Sequence, residues 1–394
     1  MVIYYATVFD SKNIHPWSGL GYYIGQMLER QGHNLVYLND LALPNPLLLK
    51  LKKYLLRKML DQSYSPNFEN RIAEVYARQI SKKVPKGSLL LSPNTILLSK
   101  LDKSYKTVLY TDSTFNQLLD FYPSFTNIPK NIILQAQRIE QAALNRTDLL
   151  IYSSQWAVNS AVNDYKIARE KTAVVPFGPN IDFSIAASVI PQIIKGRMES
   201  KVIHLLLIAV AWHRKGGSYA VEVLQHLLSK GFKAKLHITG IRTLPPGIEN
   251  NNIVHHGFVS KSTTSGQEYL TALFKESHFL LLPSRADCTP VAVSEANSFA
   301  LPCLISNVGG NADVVENGVN GMVFDFTKGP KECADYIIHM HINPEQYKNL
   351  TTSSYRKFTE ELNWETSGKK MTELLNKLAN VSSDSVDQTA FKRA

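Results

Sequence analysis

A chain of 394 residues is too long for one ordinary hydrophobic core and suits two domains. Its 44% hydrophobic and 19% charged content exclude wholesale disorder, and three cysteines without a CxxC pair exclude a disulfide framework or a thiolate zinc site. Of the net charge of +10, the stretch Lys50 to Lys106 holds +9, from 13 basic and 4 acidic residues; such a patch calls for an anionic partner carrying phosphate, acidic lipid or nucleic acid.

Along the chain, Val2 to Phe9 is an apolar, β-branched and aromatic run that predicts a buried strand. The residues before it carry no basic n-region, so no signal peptide is expected. Gly19-Leu20-Gly21 then opens a stretch of helical spacing that Gly32 closes, and 33–38 predicts the next strand. Further short strands are expected at 88–91, 106–110 and 149–152, alternating with helices. The pattern breaks between Pro179 and Gly196, which places a domain boundary near 185. A second start follows at 202–208, too short and too polar at His204 to span a bilayer. Gly216-Gly217 leads into a helix through Leu227, and strands are expected at 234–238, 279–282 and 302–305. Strands alternating with helices imply right-handed βαβ units, hence two parallel sheets, each covered on both faces. Residues 382–394 are polar and expected to fray. With no membrane span and no leader, the expected location is the cytoplasm.

Several motifs carry chemistry. Gly19 and Gly21, with Asp40 about 20 residues later, imitate a dinucleotide fingerprint, but some ten residues separate Phe9 from Gly19, and that fingerprint needs its first glycine directly after the strand. A glycine-lined helix start open to phosphate remains possible there, as does a loop that needs small residues for packing. Trp212-His213-Arg214-Lys215-Gly216-Gly217 sets two cations at a strand end and a helix start, where positive charge opposes the helix dipole and an anion would compensate. Asp287 and Glu295 stand eight apart across Thr289-Pro290-Val291, with Thr289 read as the N-cap; each carboxylate suits sugar or ribose hydroxyls.

Arg214-Lys215-Gly216-Gly217, the Asp287/Glu295 element, Ser306-Asn307-Val308-Gly309-Gly310 and Glu316-Asn317-Gly318-Val319-Asn320-Gly321 together resemble the C-terminal domain of retaining glycosyltransferases of family 4, which have the GT-B fold. Gly32-His33, residues 175–180 and Trp364 extend the resemblance over nearly the whole chain. It implies an α/β protein of two doubly wound Rossmann-like domains facing across a cleft, residues 1–185 and 186–369, with a closing helix from about 370 packed back on the first. It also implies transfer of a sugar from a nucleotide diphosphate donor, a UDP-sugar by preference, with retention and with neither metal nor other cofactor. Residue by residue, Glu295 would take the donor ribose and Asp287 the transferred sugar's hydroxyls. Arg214 and Lys215 would take the diphosphate, while Gly19, Gly21, Thr289, Pro290 and Val291 approach the donor and Val259 borders the base. Asp112, following a predicted strand, is the candidate that faces the anomeric centre, with a capping role in a turn as the alternative. Two positions depart from the family pattern: its first acid is usually Glu, and its Arg usually stands where Val210 is here.

Other readings stay open. A nucleotide-sugar epimerase or a phosphorylase of related architecture would share the fold, and a catalytically silent relative would bind lipid or a partner protein. The run Leu47 to Leu60 carries five cations and no acid, with Lys50, Lys53 and Arg57 on one side, and so suits contact with an anionic membrane, an anionic acceptor, or simple solvation. His255-His256 and His339-Met340-His341 lack partner ligands at metal spacing and are read as structural. Aromatic residues do not interleave with a basic stripe, so nucleic acid is not an expected partner.

Overall fold

The computed structural model describes residues 1–390 except Ser184 and Glu249, with side chains through Asn380. The chain divides into two compact units, Met1–Pro176 with Ser367–Ala394, and Phe177–Thr366. The division falls at Pro176/Phe177, ahead of the expected 185. The segment taken as linker holds a helix, Ile190–Glu199, that belongs to the second unit. Arg197 explains why: 2% exposed, it donates to the carbonyls of Phe274 and Lys275 at the end of the helix Thr264–Glu276, and to those of Phe299 and Ala300 in the turn after the helix Val291–Asn297.

The first unit is a parallel sheet of β1 (Val2–Ala6), β2 (Asn34–Leu38), β3 (Leu89–Ser92), β4 (Lys106–Thr111), β5 (Leu149–Tyr152) and β6 (Thr172–Val174), ordered β2-β1-β3-β4-β5-β6. The second has β7 (Ile203–Ile208), β8 (Ala234–Thr239), β9 (Ile253–His255), β10 (Phe279–Leu282), β11 (Cys303–Ser306) and β12 (Gly321–Phe324), ordered β12-β11-β10-β7-β8-β9. The central strands β4, β5, β7, β10 and β11 are almost wholly buried, as helices on both faces of a parallel sheet require. Strand order reverses at β1/β3 in the first sheet and at β7/β10 in the second. In open α/β sheets ligands bind outside the carboxyl ends of the strands at such a reversal.

The closing helix Trp364–Ala390 runs through residues expected to fray, and residues 391–394 lie outside those described. Its indole holds the start of the second unit: Trp364 Nε1 donates to the Pro179 carbonyl at 2.9 Å, and its ring lies tilted against Phe177 with centroids 6.0 Å apart. Three residues on, Ser367 Oγ donates to the Pro176 carbonyl at 2.7 Å, and farther along the helix Thr372 meets His33 Nε2 at 2.9 Å within the first unit.

Candidate active site

In the second unit the reversal is crowded with charge. The loop after β7 turns at Gly216, whose φ of +70° lies in the left-handed region; a Cβ there would stand 1.9 Å from the Pro283 carbonyl oxygen. Only glycine lets this loop close on the loop after β10. The closure is sealed by the Arg285 N–H donating to the Arg214 carbonyl at 2.7 Å and by Arg214 Nη1 donating to the Ala286 carbonyl at 2.9 Å. Lys215 and Asp287, 72 residues apart, thereby meet in an ion pair with side chains only 12% and 10% exposed, and Ser284 Oγ donates to the same carboxylate at 3.2 Å. Val210 is 70% exposed, and it is the Arg214 guanidinium that holds the loop carrying Asp287.

The helix Val291–Asn297 starts one residue later than read from the sequence. Pro290 is its N-cap, with extended ψ and no side-chain cap, so Thr289 is a buried loop residue and not the cap. The proline supplies no N–H and fixes the backbone at the entry to the helix. Glu295 in the second turn is 0% exposed. Its Oε1 takes the ammonium of Lys261, while its Oε2 is buried with no hydrogen-bond partner. A buried carboxylate oxygen left open is expensive and marks a place where a donor group is wanted. Lys261 sits two residues beyond Val259, so the ion pair ties the Val259 stretch to Glu295. Arg214, Lys215, Val259, Asp287, Thr289, Pro290, Val291 and Glu295 all belong to the second unit; Gly19, Gly21 and Asp112 belong to the first.

In the first unit, Gly19 caps the helix Leu20–Arg30 at φ +87°, after Trp17 and Ser18, which also hold left-handed φ of 50° and 56°. Non-glycine residues there are strained, and strain of this kind gathers at functional sites. The strain aims Trp17 Nε1 at Asp112 Oδ2, 3.1 Å away. Asp112 also accepts from Ser113 Oγ at 3.2 Å, while Thr114 supplies the N-cap of the short helix Phe115–Leu118. Asp112 is therefore no helix cap. Gly21 packs directly on Phe9, where a Cβ would be 2.5 Å from the ring, and its carbonyl accepts from Tyr5 Oη, so this glycine serves packing. Asp40 is ion-paired with Lys83 at the surface.

A cavity of about 340 Å³ opens at the first reversal, lined by Phe9, Trp17, Asn94, Asp112 and Glu140 among others. Glu140 is 5% exposed; burial pushes its carboxyl up to about 7 against the opposing hydrogen bonds from Thr95 Oγ1 at 2.6 Å and the Phe115 N–H at 3.3 Å. Nothing local in the sequence marks Glu140, because its partners are 45 and 25 residues away. Trp17 gives no signal either, since neither it nor Ser18 is a residue type that favours left-handed backbone.

The histidines form a ladder across the second sheet. His204 Nδ1 meets His237 Nε2 at 2.8 Å, His237 Nδ1 meets His256 Nε2 at 3.0 Å, and His256 Nδ1 meets Tyr269 Oη at 2.7 Å. His278 Nδ1 accepts from the His204 backbone N–H at 3.0 Å, so its Nε2 donates to the Arg197 carbonyl. Burial holds His237 down to about 4 and His278 to about 3. Among the described residues, one acid and histidine group is close enough to share a metal, His204 with His237 and Glu276, and it includes neither Asp287 nor Glu295.

Residues 193–357 match the family model described as glycosyl transferases group 1. The chain is 25% identical over 261 residues to an uncharacterized 41.2 kDa protein in the cps region of Klebsiella pneumoniae, covering 65% of this chain and 68% of that one. It is 22% identical over 206 residues to the Escherichia coli UDP-Gal:alpha-D-GlcNAc-diphosphoundecaprenol alpha-1,3-galactosyltransferase, covering 50% and 52%. Among solved structures, HepE of Anabaena in complex with UDP superposes with a TM-score of 0.63 at 14% identity, covering 96% of this chain and 100% of that chain.

Proposed function

With a second unit that is a group 1 glycosyl transferase domain and a GT-B fold, the chain is a glycosyltransferase, and we propose that it moves a sugar from a UDP-sugar to an acceptor hydroxyl with retention and without a metal. The observation that carries this reading is the reversal of the second sheet: Lys215 and Arg214 beside Asp287, and a buried Glu295 whose Oε2 lacks a hydrogen bond. Uridine is favoured by two comparisons, a relative named for UDP-Gal and a structural neighbour solved with UDP.

In this reading the ribose hydroxyls donate to Glu295, and Asp287 receives hydroxyls of the sugar being moved. The bond between the anomeric carbon and the diphosphate oxygen breaks, and its electron pair leaves with UDP. Lys215, Arg214 and the N–H groups opening the helix Gly217–Ser229 hold that charge in place before it develops, so no reorganisation is required at the moment of reaction. The acceptor oxygen bonds to the anomeric carbon from the face the diphosphate leaves, and the acceptor proton passes to the departing phosphate oxygen. The two cations perform the neutralising work that a divalent metal does elsewhere. Asp112 orients the acceptor, itself steadied by Trp17. The test is incubation with UDP-sugars in EDTA, followed by NMR of the anomeric proton in the first product formed. An α product from an α-linked donor is expected; a β product, or turnover that EDTA abolishes, contradicts the mechanism.

A further inference from the structure

The basic run singled out in the sequence folds as the helix Pro46–Leu60, and no residue of that helix is buried. Among the described residues, seven of the fifteen large exposed hydrophobics fall in this one element, Leu47 at 81% and Met59 at 73% being the most exposed. A cluster of that density on a solvated helix marks an interaction surface, because single exposed leucines are ordinary and contiguous ones are not.

The helix has three stripes. Leu49, Lys52 and Leu56 face the body of the first unit. Leu49 packs on its core, while Lys52 is ion-paired to Glu69 and lies 4.5 Å over the Tyr64 ring. Leu47, Leu51, Tyr54 and Leu55, spaced i, i+4, i+7 and i+8, form an outward apolar stripe. Lys50, Lys53 and Arg57, spaced i, i+3 and i+7, form a basic stripe along its flank. Arg57 reaches Asp61 at 3.1 Å, a pair with both side chains well exposed, so it is weakly held. Lys58 falls inside the apolar stripe with its ammonium 5.4 Å over the Tyr54 ring, from where the long stem lets the charge reach a polar layer above buried carbons. An apolar stripe with a cationic border is the pattern of a helix lying in the plane of a bilayer interface. At fifteen residues it is too short to cross, and no described helix is long and apolar enough to do so.

We propose that the helix Pro46–Leu60 docks the chain on an anionic lipid surface, leucines among the acyl carbons and Lys50, Lys53 and Arg57 against lipid phosphates. The local excess of 13 basic over 4 acidic residues between Lys50 and Lys106 selects an anionic bilayer over an apolar protein groove, because the whole neighbourhood complements negative charge. The inference stands apart from the donor reading, since no residue of the helix belongs to that site.

Flotation with vesicles of phosphatidylcholine alone, and with 30% phosphatidylglycerol, tests it on the full chain. Binding is expected only to the anionic vesicles and is expected to weaken with added salt. Charge reversal at Lys50, Lys53 and Arg57 should lower the partition by about a hundredfold or more, at about fivefold per charge. Leu47→Glu with Leu51→Glu should lower it comparably, and both variants should melt like the parent because these side chains contact no core. Failure to float with anionic vesicles, or flotation unchanged in both variants, overturns the proposal. So does a dimer in the parent chain that Leu47→Glu with Leu51→Glu dissociates, which would assign the apolar stripe to a second copy.

Discussion

The two sheets use the same parts in different orders, and what lies at each reversal differs in kind. At β7/β10 the loops bring cations and carboxylates into paired contact, with Lys215 on Asp287 and Lys261 on Glu295. At β1/β3 they leave an aromatic-edged cavity with Asp112 braced by an indole and Glu140 sunk in its wall. The first arrangement gathers ion pairs around buried carboxylates. The second leaves an open cavity edged by Phe9, Trp17 and Phe68 with two carboxylates in its lining. A parallel sheet thus supplies the position, and the loop residues decide the chemistry.

The contrast breaks most sharply at Lys215. Lys215→Ala should lower kcat/KM by about 10²-fold or more, roughly 3 kcal/mol of transition-state stabilisation, if it neutralises the leaving diphosphate. Steady-state kinetics check this, and a loss under threefold removes it from the mechanism.

Titration separates the two units next, with opposite signs. His237 and His278 are depressed below their ordinary value of 6.5, so the second unit keeps them neutral while its unfolded chain protonates them. Their contribution is complete above pH 6.5 and is lost as pH falls through about 4, on the order of 3 kcal/mol for His237. Glu140 is raised from 4.5 to about 7, so the folded first unit binds a proton that the unfolded chain has released. Its burial therefore costs stability as pH rises from 4.5 through 7, and Glu140→Gln should stabilise the first unit at pH 8 by about 3 kcal/mol. Calorimetry between pH 5 and 8 should show one transition rising with pH and the other falling. Glu140→Gln should flatten only the second of these.

The smallest effect is expected at Asp112. Asp112→Asn keeps an acceptor for Trp17 Nε1 but loses the charge, and should cost about tenfold in kcat/KM for transfer while leaving UDP affinity alone. Full activity would return Asp112 to the role of a turn residue.

The strands β1, β5, β7 and β10 were readable because each is a short, mostly apolar run. β6, β9 and β12 were not, being three or four residues long and only partly covered, so their side chains carry no buried run. Lys215, Asp287 and Glu295 could be named from local motifs. Their partners could not: Lys261 reaches Glu295 across 34 residues, and the histidine ladder joins His204 on β7, His237 on β8 and His256 just past β9, 33 apart and 19 apart. Parallel sheets place such partners on different βαβ units, and only the register between β7, β8 and β9 aligns them. Fraying was expected of residues 382–394 from polarity alone, whereas the helical pattern from Trp364 carries the closing helix to Ala390.

The most direct measurement is calorimetric titration of UDP in EDTA onto the parent chain and onto Glu295→Ala, with melting curves to confirm that both are folded. UDP should bind the parent without metal, and the substitution should weaken it at least tenfold by removing the buried carboxylate offered to the ribose. Equal affinity in the two proteins, or no binding by the folded parent, would contradict a nucleotide site at the reversal of the second sheet.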